Sequence, residues 1–151
     1  MTISRDRIGV CYKDHVPPAP DLALTRAVQL LETQLRPAAI LLFGSRAGGT
    51  ARPDSDVDLG VLCGRPTPNA FAVAGLKTEL EDVLGAAVDL VVLDGASPIL
   101  GMDVLRSHRV LAMRDPEAFE TFTVRTLMAY FDLERVREPI ERAILSRGTG
   151  Q

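Results

Sequence analysis

Cysteine is scarce in this chain, long apolar runs are missing, and there is no excess of basic charge. Only two of the 151 residues are cysteine, Cys11 and Cys63. They form no CxxC pair and no metal-ligand cluster, so neither a disulfide framework nor a zinc site is expected, and the usage suits a reducing cytoplasm. No apolar run approaches the length of a membrane span. The opening "MTISRDRIGVCYKDHVPPAP" is broken by charges throughout and lacks the apolar core of a signal peptide. Seventeen basic residues against 20 acidic ones leave a net charge of −3, whereas a general nucleic-acid binder would show a basic face. Internal repeats and low-complexity segments are also missing. What remains is 46% apolar and 25% charged, the make-up of an ordinary soluble globular protein. The length suits one domain, which buries about two-thirds of its unfolded surface and needs no staples.

Along the chain, residues 1–20 read as an N-terminal arm, with "RIGVCY" as a candidate edge strand and "VPPAP" as the boundary. A folded domain is expected over 21–145 and a frayed C-terminus over 146–151. Asp21 is a candidate N-cap for a helix over "LALTRAVQLLETQL", in which Leu24, Ala27, Val28, Leu31 and Leu35 recur at helical spacing and Pro37 stops the run. "AAILLF" reads as a buried strand ending at Gly44. "SRAGGTARPDS" is a turn region with room for a short helical turn. "DVDLGVLC" is strand-like. A helix follows over 69–84, with Phe71, Val73, Leu76, Leu80, Val83 and Leu84 as its apolar positions and Gly85 as its cap. "AVDLVVLD" is a third strand. Ser97 and Pro98 open another helix, "RVLAM" is a fourth strand, and Pro116 opens the last helix. That helix carries Phe119, Phe122, Val124, Leu127, Tyr130 and Phe131 as core, the last two being alternatively a partner surface; Pro139 is expected to kink or divide it. Strands alternating with helices predict a small α/β (α+β) domain with a mixed sheet of four to five strands and a long C-terminal helix.

The chemistry concentrates in "LLFGSRAGGTARPDSDVDLGVLC". Asp56 and Asp58 stand at i and i+2, so on a strand both carboxylates leave one face, opposite Val57, Leu59 and Val61. At roughly 4 Å and an effective dielectric near 20, two such charges repel by about 4 kcal/mol. Solvent or a cation has to offset that. Asp89 stands in the apolar "AVDLVV", where burying a charge is costly unless it is paired or binds a metal. If the two strands are neighbours, three carboxylates converge, and oxygen-only ligands select Mg²⁺ or Mn²⁺. Gly44 lets the backbone approach a ligand, and the Ser45 hydroxyl with nearby amides can hold phosphate oxygens. Arg46 or Arg52 could add a phosphate contact. His15 and His108 have no partner at a catalytic spacing and read as surface residues. Cys63 reads as an inert core filler.

"GSRAGGTARPDSDVDL" resembles the Gly-Ser-x10-Asp-x-Asp signature of the DNA polymerase β-like nucleotidyltransferase superfamily, with the third Asp on a later strand. The resemblance, over roughly residues 22–135, is to minimal nucleotidyltransferases and in particular to antitoxins of the MntA family, which pair with HEPN-domain RNase toxins. It implies that Asp56, Asp58 and Asp89 are catalytic and bind two Mg²⁺ ions, with Mn²⁺ as a substitute. It implies that Gly44 and Ser45 hold the triphosphate of ATP, with Arg46 and Ser55 as further nucleotide-binding candidates. The implied activity is transfer of AMP from ATP to a tyrosine of the HEPN toxin in the cytoplasm, with neither a membrane nor direct nucleic-acid binding involved. Two rival readings stand beside it. One is nucleotide transfer to a small hydroxyl compound such as an aminoglycoside, although such enzymes usually add a helical substrate domain. The other is a non-catalytic antitoxin that neutralises its toxin by contact alone.

Overall fold

The computed structural model describes residues 21–64 and 66–148. The arm, its candidate strand and Cys11 lie outside the described residues. The first helix, α1 (Leu22–Leu35), starts where the Asp21 carboxylate accepts hydrogen bonds from the Ala23 and Leu24 amides. It ends at Arg36, which takes a left-handed conformation ahead of Pro37. Strand β1 (Ala39–Phe43) is buried along its whole length. It runs into a single helical turn, α2 (Gly44–Gly48), and the chain returns as β2 (Val57–Leu62). Next come α3 (Ala70–Leu84), capped by Asn69 and Gly85, and β3 (Val88–Val92). Then α4 (Pro98–Arg106) begins on the Ser97 hydroxyl, which accepts from the Leu100 amide. Strand β4 (His108–Met113) and α5 (Pro116–Gly148) complete the described residues.

The four strands lie in the order β3-β2-β1-β4. The β2–β3 pair is parallel and both pairings of β1 are antiparallel. The sheet is therefore mixed, with α3 as the crossover that a parallel pair requires. Alternation splits the core into two layers. Ile40 and Leu42 of β1, with Val57, Leu59 and Val61 of β2, pack with Ala27 and Leu31 of α1 and Leu76 and Leu80 of α3. Leu41, Phe43 and Leu62 face the other way, toward Val104 of α4 and Phe119 and Phe122 of α5. Phe43 pairs with both Asp58 and His108, so β1 finishes at the end of the sheet where β2, β3 and β4 begin. Everything chemically unusual in the sequence gathers at that end.

Four expectations change. Pro139 does not divide α5, which is continuous to Gly148. Residues 134–147 are exposed throughout, so water can take the carbonyl that a proline leaves without its helical partner. Phe71, expected on the apolar face of α3, is 90% exposed, because the buried stripe runs through Leu76 and Leu80. Of the α5 residues expected in the core, Phe119 and Phe122 are buried, whereas Val124 and Phe131 lie on the surface. His108 is not a simple surface residue. It is half-buried, with Nδ1 3.1 Å from the Leu105 carbonyl and its ring edge-on to Phe119.

Candidate active site

The site forms where β1 hands over to α2. Gly44 has φ +68°, a left-handed conformation that glycine adopts without penalty. A side chain would not fit there either: a Cβ on Gly44 would lie 2.2 Å from Asp58 Oδ2. The glycine thus serves two ends at once, turning the chain sharply and letting the Asp58 carboxylate lie against the turn. Ser45 follows in the first turn of α2, half-buried, at the point where helix amides have no partner within the helix.

Asp58 is the second residue of β2, and its register partner on β3 is Asp89. Parallel pairing puts the two carboxylates on the same face, the face that Phe43 and Leu62 share with α4 and α5. Asp56 precedes β2 by one residue rather than lying in it. Its neighbours fix it: the Val57 amide donates to the Ala87 carbonyl at 2.9 Å, and the Asp56 carbonyl accepts from Arg46 Nε at 3.3 Å. Burial pushes the Asp58 carboxyl above its ordinary value of 3.8, and the Asp89 and Asp56 charges push it further, with Arg46 opposing.

Asp89 differs from expectation in one respect. It is exposed, because β3 is the sheet edge, so burial alone does not demand a partner for it. Among the described residues, no group of three His, Cys, Asp or Glu side chains forms a ready metal cage. The donor set nevertheless fits hard divalent cations. It is all oxygen, and two of its members, Asp56 and Asp58, line an open cleft of about 420 Å³ with Ser45, Arg52, Asp54 and Ser55, whereas Asp89 is not among the residues lining that cleft.

The remaining candidates have partners within the chain. Arg46 donates from Nη2 to the Ser55 carbonyl at 2.6 Å and from Nε to the same oxygen at 3.1 Å. The Ser55 hydroxyl accepts from the Arg52 amide at 2.8 Å, and the Ser55 amide donates to the Arg52 carbonyl at 3.0 Å. Arg52 itself lines the cleft. Cys63 is away from this site; burial, with the Asp94 charge, pushes its thiol up to about 11, which leaves it protonated and unreactive at neutral pH. Asp94 escaped the sequence reading. Its carboxylate accepts from the Cys63 and Gly64 amides at 2.7 and 2.6 Å, tying the far ends of β2 and β3 together. Only the strand order could have disclosed that link.

The family described as "Polymerase beta, Nucleotidyltransferase" matches residues 26–117, which spans α1 through the start of α5 and includes every candidate residue above. The chain belongs to the polymerase β nucleotidyltransferase family. Within it the chain is MntA-like. It is 35% identical over 101 residues to the protein adenylyltransferase MntA of Shewanella oneidensis, covering 67% of this chain and 71% of that one. A second MntA, from Aphanizomenon flos-aquae, is 27% identical over 108 residues, covering 66% of this chain and 72% of that one. Among solved structures, a toxin–antitoxin crystal structure with AMP-PNP superposes with a TM-score of 0.72 at 30% identity, covering 80% of this chain and 97% of that one. A tri-AMPylated Shewanella oneidensis HEPN toxin in complex with MNT antitoxin gives a TM-score of 0.69 at 28% identity, with coverages of 82% and 97%. The nucleotidyltransferase is thus an enzyme of known chemistry class, and its relatives are antitoxin adenylyltransferases. Among the described residues no helix is long and apolar enough to cross a membrane.

Proposed function

We propose that this nucleotidyltransferase is a protein adenylyltransferase antitoxin, moving AMP from ATP to a tyrosine of a cognate HEPN toxin. The observation that carries the reading is the acidic set, Asp58 facing Asp89 across β2–β3 with Asp56 one step ahead, beside the Gly44–Ser45 turn. The MntA relatives and the AMPylated toxin in a neighbouring complex support the same choice of reaction and acceptor class.

In this reading Gly44 and Ser45 receive the triphosphate, with Ser45 and the first α2 amides donating to its oxygens. Asp56, Asp58 and Asp89 would hold two Mg²⁺ ions, which when bound offset the charge on the phosphate oxygens and the leaving group. The acceptor hydroxyl attacks the α-phosphorus in line. A new oxygen–phosphorus bond forms, the bond to the β-phosphate oxygen breaks, and pyrophosphate departs. The exposed carboxylate of Asp89 takes the hydroxyl proton. The tri-AMPylated toxin in a neighbouring complex favours an acceptor presented by a partner protein over a small hydroxyl compound.

The test uses ATP labelled on the α-phosphate, Mg²⁺ and the HEPN-type product of the neighbouring gene. Label on that partner with the wild-type chain, lost with Asp56→Ala, is expected. Labelling indistinguishable between the two chains, or none with either, rejects the reading. Label on an added aminoglycoside in the absence of protein partner would favour the small-molecule alternative.

A further inference from the structure

Arg46 was a candidate for the nucleotide, yet its guanidinium is engaged elsewhere. Nε and Nη2 both reach the Ser55 carbonyl, and Nε also reaches the Asp56 carbonyl. Arg46 therefore bridges two segments nine residues apart in sequence. On one side is α2, the phosphate-binding turn. On the other is the approach to β2, which carries Asp56. That approach has little else to define it. Asp56 lies outside the β2 ladder, and the preceding turn is closed on itself by the two Arg52–Ser55 hydrogen bonds. The Val57 amide, bonded to Ala87, anchors the far side of Asp56. The near side is anchored by Arg46. Bonding two successive carbonyls needs the planar fork of a guanidinium, and a lysine ammonium provides a single point charge instead.

We propose that Arg46 is a positioning residue, which fixes Asp56 against the Gly44–Ser45 turn by holding the Ser55 and Asp56 carbonyls and does not contact the nucleotide. The cleft-facing cation is then Arg52, carried on the turn that Arg46 holds in place. The proposal rests on the adenylyltransferase reading above for its kinetic consequence, but not for the clamp itself. A misplacement of about 1 Å in a reacting constellation can cost on the order of a hundredfold in rate. Loss of a phosphate contact acts differently, weakening nucleotide binding in ground and transition states alike.

The experiment compares wild type with Arg46→Ala and Arg46→Lys by three measurements: steady-state adenylyl transfer, AMP-PNP affinity by calorimetry, and amide exchange over residues 52–57. For Arg46→Ala the expected result is a fall in kcat of roughly ten- to a hundredfold, with KM for ATP and AMP-PNP affinity within about threefold of wild type. Exchange at the Ser55 and Val57 amides, which donate to the Arg52 and Ala87 carbonyls, should quicken, and Arg46→Lys should recover only a minor part of the rate. A raised KM and weakened AMP-PNP binding with kcat preserved, both restored by Arg46→Lys, overturns the proposal in favour of a phosphate contact. Unchanged exchange at Ser55 and Val57 overturns it whatever the kinetics, and quickened exchange with wild-type kinetics removes the positioning role. If wild type itself transfers nothing, the adenylyltransferase reading fails, and the exchange and AMP-PNP arms still decide the clamp. Should Arg46→Ala not fold, Arg46→Gln replaces it in all three measurements.

Discussion

Single residues at this site carry conflicting demands, and Gly44 and Asp58 show it best. Gly44→Ala would force an L-residue to φ +68° and put a methyl group against Asp58 Oδ2. The conformational cost alone is about 1–2 kcal/mol, so Tm should drop by roughly 3–8 °C and nucleotidyl transfer should fall to background. A variant with wild-type Tm and rate would contradict the close approach. Asp58 is held above 3.8, so its protonated form is favoured by folding. Its contribution to stability is full below 3.8 and is lost as pH rises through the higher folded value. At neutral pH the ionised carboxylate destabilises the metal-free fold. Asp58→Asn should therefore melt higher than wild type near pH 7 without Mg²⁺, with the gap closing as pH falls toward 4, and should abolish transfer. Melting curves with parallel pH dependence would show that the charge repulsion is absent. Much of this was legible beforehand. The i, i+2 spacing singled out Asp56 and Asp58, which both line the cleft although Asp56 precedes β2, and the glycine read as leaving room for a ligand makes its close approach to the Asp58 carboxylate. The exposure of Asp89 was not legible, because it depends on β3 being the sheet edge. Nor was the role of Arg46, whose acceptors are backbone atoms that no side-chain pattern reveals.

At the scale of elements, most of the chain obeys local rules. Asp21 and Ser97 cap α1 and α4 through their side chains, and Gly85 ends α3 in a left-handed turn, as their positions predicted; Asn69, read as the first residue of its helix, is instead the N-cap of α3. The α4–α5 contact is less forgiving. A Cβ on Gly101 would lie 2.8 Å from Thr126 Cγ2, and Thr126 is itself buried. Gly101→Ala should destabilise by about 1–3 kcal/mol, and adding Thr126→Ala should return part of that loss. Equal melting of single and double variants would mean that the helices separate freely. The last four turns of α5 behave oppositely. Residues 134–147 are exposed, including Val136, Ile140 and Ile144. Truncation after Leu133 should shift Tm by no more than about 3 °C, because no buried contact is removed. A drop beyond 10 °C would reveal packing that the isolated chain does not show. Periodicity located these helices well. It misjudged Phe71 because amphipathic spacing says which residues share a face but not how far the neighbouring element extends.

For the whole molecule, strand order is what turns a charged sequence motif into a site. The β3-β2-β1-β4 sheet brings the Gly44 turn, the start of β2 and the start of β3 to one end, and covers both faces with helices everywhere else. The alternation of strand and helix announced a small mixed domain, but the antiparallel insertion of β1 between β2 and β4 is a tertiary choice. The cleft at that end is open, which suits the proposed acceptor, a hydroxyl presented by a partner protein. The claim that this chain works by chemistry, and not by contact alone, is tested most directly by intact-mass analysis of the HEPN-type partner. The partner would be co-purified with wild type or with the triple variant Asp56→Asn, Asp58→Asn, Asp89→Asn. The account predicts that both chains form the complex, that only wild type adds adenylyl-sized increments to the partner, and that neutralisation is lost with the triple variant. A partner that is unmodified by wild type, yet neutralised equally by both chains, would contradict it.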